Sequence, residues 1–166
     1  MNPTERLRTA GEYVEWLRLA VHERVVPANE RARASLPCFA IAQEHHHAIV
    51  LLIEHRLYAS TLALLRVAFE ALIRGEWLAL CATNPQVSRF LEGREPPKID
   101  VLLQAVEQTP AFSEGVLSSL KRQHWKALCA FTHTGGLHVQ RWNSPQAIEP
   151  AYDPEEIHQA LQFAEI

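Results

Sequence analysis

From Ala59 to Thr83 the chain runs without a proline and with a single glycine, Gly75. Around the helix this segment must form, no face is left for water. Arg66, Glu70 and Arg74 recur at i, i+4 and i+8, so they stack into one ladder that drifts about 40° per step. Ala59, Ala63, Ile73, Trp77 and Cys81 flank that ladder. The opposite side is a stripe of small residues (Ala68, Ala71, Gly75, Ala79, Ala82) that permits close helix contact, and Leu62, Leu65, Phe69, Leu72 and Leu78 fill the remaining sides. A helix of this kind belongs at the centre of a helical assembly. Its charge ladder is then costly unless every member is paired, because each buried ion loses its hydration. Two readings follow: Glu70 bridges two arginines as a structural network, or one arginine points into a cleft and uses its planar fork on an anion such as a phosphate.

Helical periodicity dominates the rest of the chain, and no segment alternates as a strand does. The expected fold is all-α, a compact antiparallel bundle of about five main helices in a single domain over residues 1–166. A first helix is expected from Thr4 to Val26, with Leu7, Tyr13, Val14, Leu17 and Val21 on its buried side and Pro27 as its end. A polar stretch, Asn29 to Ala34, leads to Pro37. A second helix covers Cys38 to His55, and the short join to the third implies an antiparallel hairpin. Asn84-Pro85 closes the third helix, and Gln86 to Pro97 reads as a loop broken by Gly93 and Pro96-Pro97. Ile99 to Gln108 is a short helix. Phe112 to Thr134 is a long one, with Gly135-Gly136 supplying a left-handed stop. Asp153-Pro154-Glu155-Glu156 reads as a capping box that opens a last helix. That helix has no stop signal before Ile166, so a native chain extending further is expected.

Composition narrows the function classes. Apolar residues make up 48% of the chain, which fits a packed globule, and the net charge of −3 gives no global pull toward nucleic acid or anionic membrane. Cys38, Cys81 and Cys129 sit in apolar helical stretches without CxxC spacing, the pattern of reduced thiols in a cytosolic protein. The N-terminus lacks an apolar signal core, and the longest strongly apolar run, Ala48 to Ile53, is too short to span a bilayer. The expected location is the cytoplasm, with no membrane partner.

Basic charge is local instead. Between Gly115 and Ile148 there is no acidic residue, while Lys121, Arg122, Lys126 and Arg141 occur there with His124, His133 and His138. Trp125, Phe131 and Trp142 interleave with them. Arg122, Lys126, Cys129 and His133 fall within about 60° of one another on the helix. Such a patch suits single-stranded nucleic acid, through phosphate pairing and base stacking, but an amphipathic helix with its aromatics in the core has the same composition. His133 at the helix end is either stabilised by the C-terminal dipole or is a general acid–base, and His138 and Arg141 follow closely enough to share its site. The run His45-His46-His47 is not a metal site, since successive helical residues diverge by about 100°. No metal or cofactor motif appears elsewhere.

Two segments resemble a known group when taken together: Tyr58-Ala59-Ser60-Thr61-Leu62-Ala63-Leu64-Leu65-Arg66-Val67-Ala68-Phe69-Glu70 and Ala130-Phe131-Thr132-His133-Thr134-Gly135-Gly136. They resemble uncharacterised bacterial helical families allied to the HEPN-like domains (higher eukaryotes and prokaryotes nucleotide-binding), over about Cys38 to Asn143. The resemblance implies a helical bundle, frequently dimeric, of a kind that often serves as a ribonuclease in toxin–antitoxin and phage-defence systems. Its catalytic signature is arginine, four to six residues, then histidine, and this chain departs from it. Lys126 stands where the arginine belongs relative to His133, and Arg122 is too far upstream.

The leading expectation is a HEPN-like domain that binds RNA or a nucleotide, with a metal-independent ribonuclease as its enzymatic form. His133 is the expected acid–base, Arg66 the stabiliser of phosphorane charge and Glu70 the residue that orients the arginine. Lys126, His138, Arg141 and Arg122 are the expected RNA or anion contacts, and no cofactor is called for. Catalysis itself stays open at this point. The rival is a non-catalytic helical interaction module, an antitoxin or accessory subunit. A homodimer is expected in either case, with a cognate toxin or antitoxin as a further partner. The two readings separate on whether Arg66 and His133 meet at an open surface.

Overall fold

The structure is a computed structural model that describes residues 3–165, with side chains over residues 5–165. Among these residues every regular element is helical, and the only extended pairing is one bridge between Asn143 and Ile148. Counting the short ones, there are eight α-helices among the described residues, beside an expectation of about five main helices: α1 (Pro3–Val21), α2 (Glu30–Glu54), α3 (Tyr58–Leu80), α4 (Asn84–Leu91), α5 (Ile99–Glu107), α6 (Val116–Thr132), α7 (Gly136–Gln140) and α8 (Pro154–Ala164). A short 3-10 turn, Pro110–Phe112, precedes α6.

Helix α3 matches its expected span closely. Helix α5 does so too, and α8 opens at Pro154 as expected, while several other bounds were moved by local backbone chemistry. Helix α1 stops at Val21, well before Pro27, because Glu23 takes a left-handed conformation with φ of 55°. Its buried residues are Ala10 and Val14, while Tyr13 and Val21, expected inside, are exposed. Helix α2 begins at Glu30 and runs through Pro37. The polar stretch expected as a loop holds its cap: Asn29 Oδ1 accepts from the Ala32 N–H at 2.9 Å. Arg31, one turn in, is anchored by donating to the carbonyls of Leu78 (2.6 Å) and Ala82 (2.8 Å) and to Asn84 Oδ1 (3.0 Å).

Proline 85 opens a helix as well as closing one. Thr83 is the N-cap of α4, in a capping box with Gln86, and Pro85 occupies the first turn, where its missing N–H costs nothing. The long fifth helix expected from Phe112 starts only at Val116, after Gly115 at φ of 68°. There the Glu107 carboxylate accepts from the Ser118 backbone N–H (2.7 Å) and hydroxyl, a negative charge on a helix N-terminus. In α8, Asp153 caps as expected by accepting from the Glu155 N–H at 2.8 Å.

The chain falls into two compact units. Of the described residues, the first comprises 3–22, 43–68 and 124–165, the second 23–42 and 69–123. In the first, Ala10 and Val14 of α1 pack with Ile49, Val50 and Ile53 of α2, Leu62 and Leu65 of α3, Leu128 and Phe131 of α6, and Ala160 and Leu161 of α8. In the second, the buried apolar residues include Ala34, Cys38, Phe69, Ile73, Trp77, Leu78, Val87, Leu102, Leu103, Val106 and Leu117. There the small-residue stripe of α3 receives α2: a Cβ on Gly75 would lie 2.7 Å from the Phe39 ring. By length and composition one described helix, α2, is apolar enough to cross a membrane, with a mean hydropathy of 1.2. Ser35, Cys38, His46, Ile49, Val50 and Ile53 of that helix are buried within the protein.

Candidate functional site

The end of α6 determines where His133 stands. The Gly135 N–H reaches back to the Ala130 carbonyl at 2.7 Å, the six-to-one bond of a Schellman stop. The left-handed residue of that stop is Thr134, with φ of 52°, and not either glycine as expected. Gly135 is required for a different reason. A Cβ there would approach the Ala130 Cα to 3.1 Å, tighter than ordinary van der Waals contact, so glycine lets the chain pass close before turning into α7. His133 is thereby left on the last turn of α6, exposed.

Arg66 of α3 meets it there. Its Nη1 lies 2.7 Å from His133 Nε2, and its guanidinium carbon sits 4.8 Å from the centroid of the Trp125 ring. Two turns of α6 separate Trp125 and His133, so a single arginine spans both through its flat face and its edge. Guanidinium has no lone pair to offer, so His133 Nε2 is the acceptor in this contact. Thr132 ties the same two helices together beside it, donating to Leu128 O at 2.8 Å and lying 3.3 Å from Ala63 O. The result is a half-exposed arginine, an exposed imidazole and an indole within one unit.

The other expected contacts divide. Lys126 is exposed on α6 in the same unit, and no described carboxylate lies within ion-pair distance of it. His138 turns inward instead. It is buried, its Nδ1 donates to the Phe131 carbonyl at 2.9 Å, and its ring meets the Phe131 ring edge-on. Its Nε2 is buried without a partner among the described residues. Arg141 is committed to Glu156 of α8 by a two-pronged pair at 2.6 and 3.0 Å, and that carboxylate holds its guanidinium all the more firmly charged. The acid-free segment is thus partly neutralised by acids from outside it, since Lys121 likewise pairs with Asp100 at 2.7 Å.

Glu70 and Arg122 belong to the second unit. Glu70 pairs with Arg74 at 2.7 Å, as the ladder spacing leads one to expect, with its side chain 14% exposed. Arg122 is exposed. Of the three adjacent histidines only His46 is buried; it packs against the Tyr13 ring, and burial lowers its basicity. Among the described residues no three His, Cys, Asp or Glu side chains gather in the manner of a metal site. The cysteines are free, and burial pushes the Cys38 and Cys81 thiols up. Sequence reasoning missed Trp125 as the platform under Arg66 and Glu156 as the partner of Arg141. Neither is signalled by spacing, because each pairing is made between elements remote in sequence.

Residues 39–166 match the model of a family described as a family of unknown function (DUF6988). The chain belongs to the DUF6988 family. Arg66, Trp125, Lys126 and His133 all lie inside the part that defines DUF6988 membership, whereas α1 precedes it. No curated protein and no solved structure matches the chain.

Proposed function

We propose that this DUF6988 protein is a HEPN-like domain that binds single-stranded RNA at Arg66, Trp125, Lys126 and His133 and cleaves it without a metal. The observation that carries the reading is the meeting of Arg66 and His133 at 2.7 Å on an accessible surface. Arginine and histidine supply the two needs of RNA transesterification, a fixed positive charge for the phosphorane and an acid–base for the 2′-hydroxyl. In the resting site Arg66 occupies the Nε2 lone pair. A phosphate is a stronger acceptor than imidazole, so an incoming backbone draws the guanidinium onto its oxygens and uncovers Nε2. His133 then takes the 2′-hydroxyl proton as the 2′-oxygen attacks phosphorus. The 5′-oxygen leaves and is protonated by a second donor or by water, giving a 2′,3′-cyclic phosphate. Trp125 keeps Arg66 in place and offers an aromatic edge to a base. The setting is the cytoplasm.

The test is incubation of a short single-stranded RNA in EDTA, with the products separated by mass. A cyclic phosphate is expected from the wild type, and none from His133→Ala or from a substrate carrying 2′-deoxyribose at the scissile position. Cleavage that survives His133→Ala, or that requires a divalent ion, would sink the mechanism. Growth arrest on induced expression, relieved by His133→Ala, is the cellular counterpart.

A second reading, a non-catalytic interaction module, is favoured by the outer face of α1. Tyr13 and Trp16 stack there with ring centroids 6.0 Å apart, and Trp16 is 61% exposed. An aromatic pair of this kind is a common anchor of protein–protein contacts. Sedimentation at tens of micromolar, with and without Trp16→Ser, separates a self-associating face from a solvated one.

A further inference from the structure

The second unit carries two arginines joined through one helix stop. Helix α4 ends at Leu91, Glu92 is its C-cap and Gly93 follows at φ of 83°, a left-handed conformation that glycine adopts without strain. The Gly93 N–H bonds the Phe90 carbonyl and the Arg94 N–H bonds the Arg89 carbonyl, both at 3.0 Å. This is a complete Schellman stop, and its geometry brings the side chain three positions before the C-cap against the one two positions after it. That pair is normally apolar. Here the two residues are Arg89 and Arg94.

Both side chains line one groove, and among the described residues neither has an ion-pair partner. Both arginines are exposed, and among the described residues no carboxylate oxygen lies within 4.0 Å of either guanidinium. Two glutamates, Glu92 and Glu95, line the same groove and nevertheless leave the arginines unpaired. The groove has a volume of about 670 Å³, and Trp77, Phe90, Pro96 and Pro97 supply its flat apolar lining. That size suits a small organic molecule.

We infer that this groove binds a phosphate monoester carried on a flat apolar body. The head group follows from counting acceptors. One carboxylate satisfies one guanidinium fork, whereas a phosphate monoester brings three oxygens and close to two negative charges, enough for two forks. The body follows from the lining, where the Phe90 ring and the two prolines present apolar carbon to the groove. Glu92 and Glu95 restrict the ligand to one phosphate, since a second would face two carboxylates. This site is separate in composition from the Arg66–His133 pair and does not depend on the reading given to that pair.

The experiment is calorimetric titration of the full chain with phenyl phosphate, benzoate and inorganic phosphate, for the wild type, Arg89→Gln, Arg94→Gln and Arg66→Ala. Phenyl phosphate is expected to bind the wild type about tenfold more tightly than benzoate or inorganic phosphate, since one good set of contacts changes a dissociation constant by about a decade. Each of Arg89→Gln and Arg94→Gln should weaken it by about tenfold as well, and the same loss should appear when either is made in the Arg66→Ala background. Both arginines are surface residues, and retained circular dichroism confirms that the variants are folded. The inference is overturned if phenyl phosphate gives no saturable heat at millimolar concentration. It is equally overturned if benzoate or phosphate binds as well as phenyl phosphate, or if Arg66→Ala abolishes binding while Arg89→Gln and Arg94→Gln retain it.

Discussion

Replacing Arg66 separates what that residue does for the fold from what it does for a ligand. In the structure it lies over Trp125 and donates to His133. A cation–π contact at a half-exposed position is worth about 0.5–1 kcal/mol, and the hydrogen bond about 0.5–1.5 kcal/mol. Arg66→Ala should therefore cost roughly 1–2.5 kcal/mol, which for a chain of this length lowers Tm by about 2–10 °C. Its effect on RNA has a different signature. Each phosphate contact to a single strand contributes about 0.7 to the slope of log K against log salt, so that slope should become shallower by about 0.7. Arg66→Lys divides the two readouts. Lysine keeps the charge, and with it the salt slope, but its point charge cannot lie flat on Trp125 while donating edgewise to His133, so the loss of Tm should largely remain. Fluorescence anisotropy with a labelled RNA at several salt concentrations, beside thermal melts of the three proteins, provides both quantities. A wild-type salt slope in Arg66→Ala would refute the assignment of a phosphate to this residue.

Other consequences are equally direct. Glu70→Ala leaves Arg74 without the carboxylate described for it, but Arg74 is a third exposed, so the expected cost is about 1.5–3 kcal/mol rather than that of a fully sealed pair; an unchanged urea midpoint would contradict this. Gly135→Ala drives a methyl group against the Ala130 backbone and should destabilise by about 1–3 kcal/mol; a neutral result in chemical denaturation would show that the α6–α7 turn has room to shift. His46 faces the Tyr13 ring with His47 beside it, and desolvation lowers its folded-state pKa. The unfolded chain then binds the proton more readily, so stability is full above the ordinary histidine range and falls as pH drops through about 6.5, by at most about 1.4 kcal/mol per pH unit. His46→Phe should flatten that part of the stability–pH curve, and an unaltered curve would count against it. Cys38 is buried with its thiol pushed up, so it should react with a disulfide reagent only on unfolding, at a rate tracking urea concentration; immediate labelling of Cys38 in native protein, located by peptide mass, would be the contrary outcome.

The sequence by itself determined the helical class, the span of α3 to within a turn, the internal Glu70–Arg74 step and the close-packing face marked by Gly75. All of these are set by the advance of about 100° per residue along one helix, a local quantity that a reader of residues can apply directly. It also placed Arg66 and His133 on one list of chemistry. Only the tertiary structure decided that they touch, that Trp125 lies under the guanidinium, that His138 turns into the protein and that Arg141 is taken by Glu156. Helix ends were the least legible feature. Asn29, Glu23 and Thr134 act through single hydrogen bonds or left-handed conformations that proline and glycine counts do not register, and Pro37 remains inside a helix whose first turn Arg31 anchors to carbonyls nearly fifty residues away. Periodicity reports the face on which a residue stands. Which partner it meets across the gap depends on the packing of helices distant in sequence, and that is settled only when the whole chain has folded.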